Sequence, residues 1–206
     1  MFSFFEALST EFKLWWIPVI LLAYALGNIS PSILIARAAG IDIRKEGSGN
    51  AGTTNVLRVM GNKAAAATLV IDVLKGVVAV LIGKLAGGMV LGALCALAVF
   101  CGHIWPAAFG FKGGKGIATG LGILLTLDWR IGLCCLGVAV LCFVTVQRVS
   151  VGSLLATLAL PFLAWYFCPQ ILPIMILMAV IVWVKHRANI KRILKGEEPK
   201  FSFKKK

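Results

Sequence analysis

Residues 64–109 read AAAATLVIDVLKGVVAVLIGKLAGGMVLGALCALAVFCGHIWPAAF, and this stretch decides the fold. Only Asp72, Lys75 and Lys84 carry a formal charge in it. A helix that crosses a bilayer needs about 20 apolar residues. The stretch is long enough for two such helices, about Ala64–Leu85 and about Met89–Phe109.

Five more apolar runs lie outside it. The first extends from about Leu14 to Ala36. The fourth in chain order, about Ile117 to Leu127, is short. The fifth, sixth and seventh run from about Ile131 to Val146, Val151 to Phe167 and Ile171 to Val184. Only Asp128-Trp129-Arg130 divides the fourth from the fifth, so two short helices or one broken or re-entrant element both fit. The count is seven, or five. The expected fold is an all-α integral membrane protein with about seven transmembrane helices, one polytopic domain over residues 1–206. Residues 1–25 imitate a signal peptide, and Ala23-Tyr24-Ala25 imitates its cleavage site. Glu6 and Glu11 stand where a basic segment belongs, however, and the apolar run continues past the site, so the segment reads as a retained first helix.

The 206-residue chain is 60% hydrophobic, well above the usual share of a soluble domain, and carries a net charge of +13. Its basic residues flank apolar runs and form no separate domain. That pattern fits an anionic membrane surface and gives no support to nucleic acid as a partner. With seven helices, 17 Lys and Arg residues fall on one side, 3 on the other, and Lys75 stays inside a helix. The positive-inside rule then places the C-terminus in the cytoplasm and the N-terminus outside. Lys204, Lys205 and Lys206 are expected to lie on anionic headgroups. The six cysteines show no C-x-x-C pair and read as packing residues. No internal repeat of the kind many transporters carry is visible.

Three segments on that cytoplasmic side do not look like plain connectors. The first is Gly47-Ser48-Gly49-Asn50-Ala51-Gly52-Thr53-Thr54-Asn55-Val56-Leu57-Arg58. Gly49 and Gly52 let backbone N–H groups approach an anion, and a helix N-terminus adds its dipole. Ser48, Asn50, Thr54 and Asn55 offer polar contacts, and Arg58 offers a bidentate fork. A capped polar turn is the plainer alternative. The second is Gly110-Phe111-Lys112-Gly113-Gly114-Lys115-Gly116. Lys112, Gly113, Gly114, Lys115 and Gly116 read as a second phosphate cradle at a helix start, or as a basic loop. Phe109 occupies the glycine position a Walker A loop needs, so nucleotide hydrolysis is unsupported. The third runs from His186 to Glu198 and continues the last helix out of the bilayer. His186 and Asn189 are expected on one face of that helix, whose plainer role is a snorkelling basic end. Asp72 and Lys75, three residues apart within a membrane helix, and His103 are possible supporting groups, or a structural ion pair and a packing histidine.

These residues resemble the bacterial acyl-phosphate:glycerol-3-phosphate acyltransferases, the PlsY family. The resemblance rests on G-S-G-N-x-G-x-T-N-x-x-R at 47–58, G-H-x-x-P…F-K-G-G-K-G-x-A-T at 102–119 and H-R-x-N-I-x-R at 186–192, with Gly196 and Glu198 following. It implies acyl transfer from acyl phosphate to the sn-1 hydroxyl of glycerol 3-phosphate, yielding lysophosphatidic acid and phosphate in the cell (inner) membrane of a bacterium. It implies no cofactor and no metal; the sequence leaves the oligomeric state open, a monomer being the expectation. It carries catalytic roles to Ser48, His186 and Asn189, phosphate binding to Thr54, Asn55, Arg58 and Lys115, and a structural role to Glu198. A direct transfer without an acyl-enzyme is expected, with the donor phosphate or His186 as base. An H-x-x-x-x-D motif and a G-x-S-x-G elbow are both missing. A transporter of phosphorylated anions is the alternative, and it calls for phosphate sites reachable from both sides. Asp42, Asp72 and Asp128 are too far apart in sequence for a metal-dependent phosphotransferase.

Overall fold

A computed structural model describes residues 4–200, so Lys204, Lys205 and Lys206 lie outside the described residues. The helices are α1 Phe4–Glu11, α2 Trp16–Asn28, α3 Pro31–Ala38, α4 Thr53–Met60, α5 Asn62–Ile104, α6 Ile117–Leu127, α7 Trp129–Val146, α8 Val149–Phe167, α9 Leu172–Lys185 and α10 Arg187–Leu194. No strand occurs among the described residues. Among the described residues, four helical stretches are long and apolar enough to cross a membrane, or five if the bent α9–α10 pair is taken as one.

The longest of them folds back on itself. Lys75 Nζ stands 2.9 Å from His103 Nδ1, although the two are 28 residues apart. A straight helix would separate them by about 42 Å. The reversal is at Gly87 and Gly88, and Gly88 has φ 70°, a backbone that side-chain-bearing residues rarely adopt. The arms then pack through small residues: a methyl on Gly83 would meet Gly92 Cα at 2.9 Å. Small residues let helix backbones approach without a hydrophobic drive between them. The second and third expected helices are therefore the arms of α5. The second arm stops at Ile104, short of the expected Phe109, because Pro106 follows it.

The first expected helix is broken. Pro31 lacks the N–H that an unbroken helix would direct to Gly27 O, and the chain divides there into α2 and α3. The short α6 and α7 are separate helices folded against each other, with Gly132 packed on the backbone of Leu125. The last helix also departs from expectation. It does not continue straight, since α9 and α10 meet at His186 with a bend of 59°.

The contacts divide the molecule into two ends. At one end, Lys84 Nζ donates to Thr126 O at 2.9 Å and Arg130 lies over the Phe167 ring at 4.9 Å. At the other, Arg44 donates to Phe109 O at 3.2 Å, and Arg37 lies over the Phe109 ring at 5.1 Å. Lys115 there reaches Asn189, and Ser150 reaches Glu198. The three unusual sequence segments thus share one end of the bundle. The main core cluster, including Phe100, Leu91, Ile123, Ile131 and Met175, lies between the ends.

Candidate active site

Asn55 organises the first segment. It is 1% exposed, and its amide makes three bonds across the loop. Nδ2 donates to Ile43 O and Glu46 O, both at 3.0 Å, and Oδ1 accepts from Ser48 N at 2.8 Å. Both amide hydrogens are thereby committed to the protein, so Asn55 shapes the loop and has no donor left to offer an anion. Its bond to Ser48 N fixes the Ser48 backbone and leaves the hydroxyl at the surface of a cavity, with Asn50, Gly52, Thr54 and the exposed Arg58 also on the wall. α4 begins at Thr53 with no side-chain cap, so its N-terminal end opens on this space. Gly49 does not line the cavity. It turns the loop at φ 70° beside Arg44 O.

The second segment differs from a free anion cradle. Gly113 N donates to Ile104 O at 3.2 Å and Gly114 N to His103 O at 3.1 Å, so these amides cap the end of α5. Side chains at 113, 114 or 116 would collide with His103, Ile104, Ala51 or Phe100. The glycines therefore serve close approach to α5. Lys112 points outward and is exposed. Only Lys115 and Gly116 of the expected cradle line the cavity.

The third segment supplies the opposite wall. Lys115 Nζ donates to Asn189 Oδ1, and Asn189 Nδ2 donates to Glu198 Oε1 at 2.6 Å. Glu198 also accepts from Ser150 Oγ at 2.6 Å and from Arg192 Nε at 2.7 Å. Burial opposes charge on Glu198, but these three donors hold its pKa below the usual carboxylate value. Burial pushes Lys115 down to about 8. Glu198 opposes the shift, while the nearby cations Arg192, Arg58 and Lys185 add to it. His186 does not share a regular helix face with Asn189, because it stands at the α9–α10 bend. Its Nδ1 is 2.9 Å from Val182 O, so this nitrogen carries the proton and Nε2 is left as an acceptor. Arg192 closes the motif at 186–192 but was given no role there, and Ser150 was not singled out. Arg192 sits three residues after Asn189 on a helix, a signal that could have found it, whereas Ser150 opens a helix with no such mark.

The cavity has a volume of about 540 Å³, and the three segments supply most of its polar lining. Ser48, Thr54, Arg58, Lys115, His186 and Arg192 stand at its mouth. Along the helices its walls are mainly apolar: Leu121 and Leu124 of α6, Leu136 and Ala139 of α7, Ala156 and Leu160 of α8, and Met178 and Val182 of α9, with Ser153 and Thr157 of α8 among them. Asp72 and His103 also reach its wall. Such a shape accepts a small anion joined to, or meeting, a hydrocarbon chain.

A membrane-embedded α-helical fold whose cation-lined mouth opens on an apolar channel defines a class of lipid-modifying transferases. The chain belongs to the glycerol-3-phosphate acyltransferase family, whose model matches residues 17–196. The glycerol-3-phosphate acyltransferase of Clostridioides difficile (strain 630) is 45% identical over 198 residues, 92% of this chain and 97% of its own length. That of Mesorhizobium japonicum is 45% identical over 185 residues, 88% of this chain and 93% of its own. Among solved structures, the glycerol 3-phosphate form of PlsY, an integral membrane glycerol 3-phosphate acyltransferase, is similar with a TM-score of 0.87. It is 34% identical, covering 91% of this chain and 96% of that one. The lysophosphatidic acid form is similar with a TM-score of 0.83.

Proposed function

We propose that this protein transfers a fatty acyl group from acyl phosphate to the sn-1 hydroxyl of glycerol 3-phosphate, at the cytoplasmic face of a bacterial inner membrane and as a monomer. One observation carries the reading: a single cavity joins cations from all three segments to an apolar channel among α6–α9. The names of its relatives and solved neighbours support the acceptor. The donor is argued from chemistry. Acyl phosphate already has a good leaving group, so the protein needs to supply proximity and charge neutralisation, not a nucleophile.

In this mechanism Arg58, Lys115 and Arg192 neutralise phosphate, with Thr54 and Asn50 on the same wall. The acceptor hydroxyl oxygen bonds to the acyl carbonyl carbon, and the bond from that carbon to the phosphate oxygen breaks. The hydroxyl proton passes to the departing phosphate, which leaves as hydrogen phosphate. Ser48 and His186 Nε2 orient the hydroxyl, and Asn189, held between Lys115 and Glu198, fixes the Lys115 ammonium. No acyl-enzyme forms.

The test uses purified protein in lipid with acyl phosphate and radiolabelled glycerol 3-phosphate. Lysophosphatidic acid and phosphate should appear in equal amounts without added metal. Folded Ser48→Ala and Arg58→Ala variants should lose at least 100-fold in kcat/KM. Silence with acyl phosphate and equal activity with acyl-CoA would overturn the donor, and silence with every donor would overturn the activity.

A further inference from the structure

Asp72, Lys75 and His103 are buried in the two arms of α5, and no step above uses them. Their contacts run in two directions. Toward the start of the chain, Lys75 Nζ donates to Ile29 O at 2.7 Å and to Gly27 O at 3.2 Å. Gly27 O is the carbonyl that Pro31 leaves without a helical donor, so Lys75 closes the break between α2 and α3. An ammonium has three N–H groups. The third lies against His103 Nδ1 at 2.9 Å, and the Asp72 carboxylate pairs by charge with this group, its Oδ1 2.8 Å from Lys75 Nζ and 3.2 Å from His103 Nδ1. All three side chains are therefore held in place by one another and by the broken helix.

Toward the cavity, the backbone of His103 accepts from Gly114 N, and the His103 ring covers the Gly114 Cα so closely that a methyl there would strike Nε2. On its other side the same methyl would meet Ala51 O of the first segment at 2.9 Å. Gly114 is thus wedged between His103 and the Ser48 loop, and Lys115 is the next residue. Asp72 and His103 themselves line the same cavity as Lys115 and Arg58.

We propose that Asp72, Lys75 and His103 form a positioning network that sets where Lys115 stands in the cavity, transmitting the fixed geometry of the α2–α3 break through the end of α5 to the Gly113–Lys115 loop. The proposal rests on the reading of Lys115 as a phosphate-binding group. It makes the three residues positioning residues for the acceptor, with no contact to the reacting atoms.

The experiment follows Lys115 itself. Full-length protein in lipid, as wild type, His103→Ala and Asp72→Asn, is labelled with trace acetic anhydride across pH 6 to 11. Acetylation at Lys115 and at Lys84, which lies at the opposite end of the bundle, is read by mass spectrometry. Glycerol 3-phosphate turnover is measured alongside. Wild-type Lys115 should titrate near pH 8. In the variants the Gly113–Lys115 loop is released from the end of α5 and Lys115 becomes more hydrated, so its midpoint should rise by at least one pH unit toward the ordinary lysine value while the Lys84 profile is unchanged. KM for glycerol 3-phosphate should rise about tenfold, with KM for the acyl donor within twofold. An unchanged Lys115 midpoint in either folded variant overturns the network, as does an equal change at Lys84, which means general loosening. If His103→Ala does not fold, Asp72→Asn, which keeps the side-chain shape, decides alone. Absent wild-type turnover would refute the acyltransferase reading, and the labelling would still decide the network.

Discussion

Burial holds the Lys115 ammonium near a pKa of about 8, and Arg192, Arg58 and Lys185 add to the depression against the pull of Glu198. Two opposite consequences follow from that one residue. Between pH 8 and the ordinary lysine range the folded protein binds fewer protons at this site than the unfolded chain, so the contribution of Lys115 to stability rises with pH. Over the same window a phosphate held by Lys115, as proposed, would lose its cation. We expect kcat/KM for glycerol 3-phosphate to fall as pH rises through about 8, and Lys115→Arg to remove that alkaline limb, since arginine stays charged. A pH–rate profile flat to pH 10 in the wild type would refute this assignment. Asn55 makes a second prediction. Asn55→Asp replaces two donated hydrogen bonds with a carboxylate facing Ile43 O and Glu46 O. Buried groups left unpaired cost about 1–3 kcal/mol each. The variant should melt several degrees lower and lose activity, as read by thermal unfolding in detergent and by turnover. The residue types of the site were legible because glycine, lysine and asparagine clustered between apolar runs have few structural reasons to be there. Which of them faces the substrate was not legible. Asn55, Gly113 and Gly114 spend their polar groups on the protein, and that division depends on a partner 9 to 12 residues away or on another segment altogether.

Helices show a similar division. Length and apolarity marked α6, α7 and α8 almost to the residue, since their ends coincide with charged or polar turns. The break at Pro31 and the bend at His186 were not visible, because an apolar run continues across the first and a helical pattern across the second. Both are stabilised from outside, by Lys75 for the α2–α3 break and by the Val182 carbonyl and the Glu198 bonds around α10. At this scale the channel between α6, α7, α8 and α9 makes its own prediction. Val149 and Leu160 of α8 both line it, which places them about 16 Å apart along the helix. Ala156 lines it between them. Ala156→Phe fills that volume and should shift acceptance toward shorter acyl phosphates, and Leu160→Ala should extend it toward longer ones. Product chain lengths from a mixed donor pool measure this directly. An unaltered profile in folded variants would mean that the chain lies elsewhere.

Across the whole molecule, the sign of charge organises the bundle. The loops that carry the three segments gather at one end, and the end holding Lys84, Arg130 and the Gly87–Gly88 turn is poor in cations. Anchored cations resist translocation, so the basic end is expected to face the cytoplasm. Green fluorescent protein fused at the C-terminus should then fluoresce, and alkaline phosphatase fused after Leu85 should be active outside the cytoplasmic membrane. The reverse pair of results would invert the orientation. In that orientation the proposed acceptor would enter from the cytosol and the acyl chain would lie among helices whose outer faces carry exposed residues such as Phe162 and Trp165.

The sequence by itself determined that this is a helical membrane protein with three polar, basic segments at one end. Those properties are local: hydropathy over about 20 residues, charge beside each apolar run, and glycine patterns within a dozen positions. Only the tertiary structure decided that Lys75 supports a broken helix 46 residues earlier and that Lys115 meets Asn189 from 74 residues away. Such pairings depend on how small residues let the helices approach and on which buried donors must find acceptors, and no single stretch of chain contains both partners.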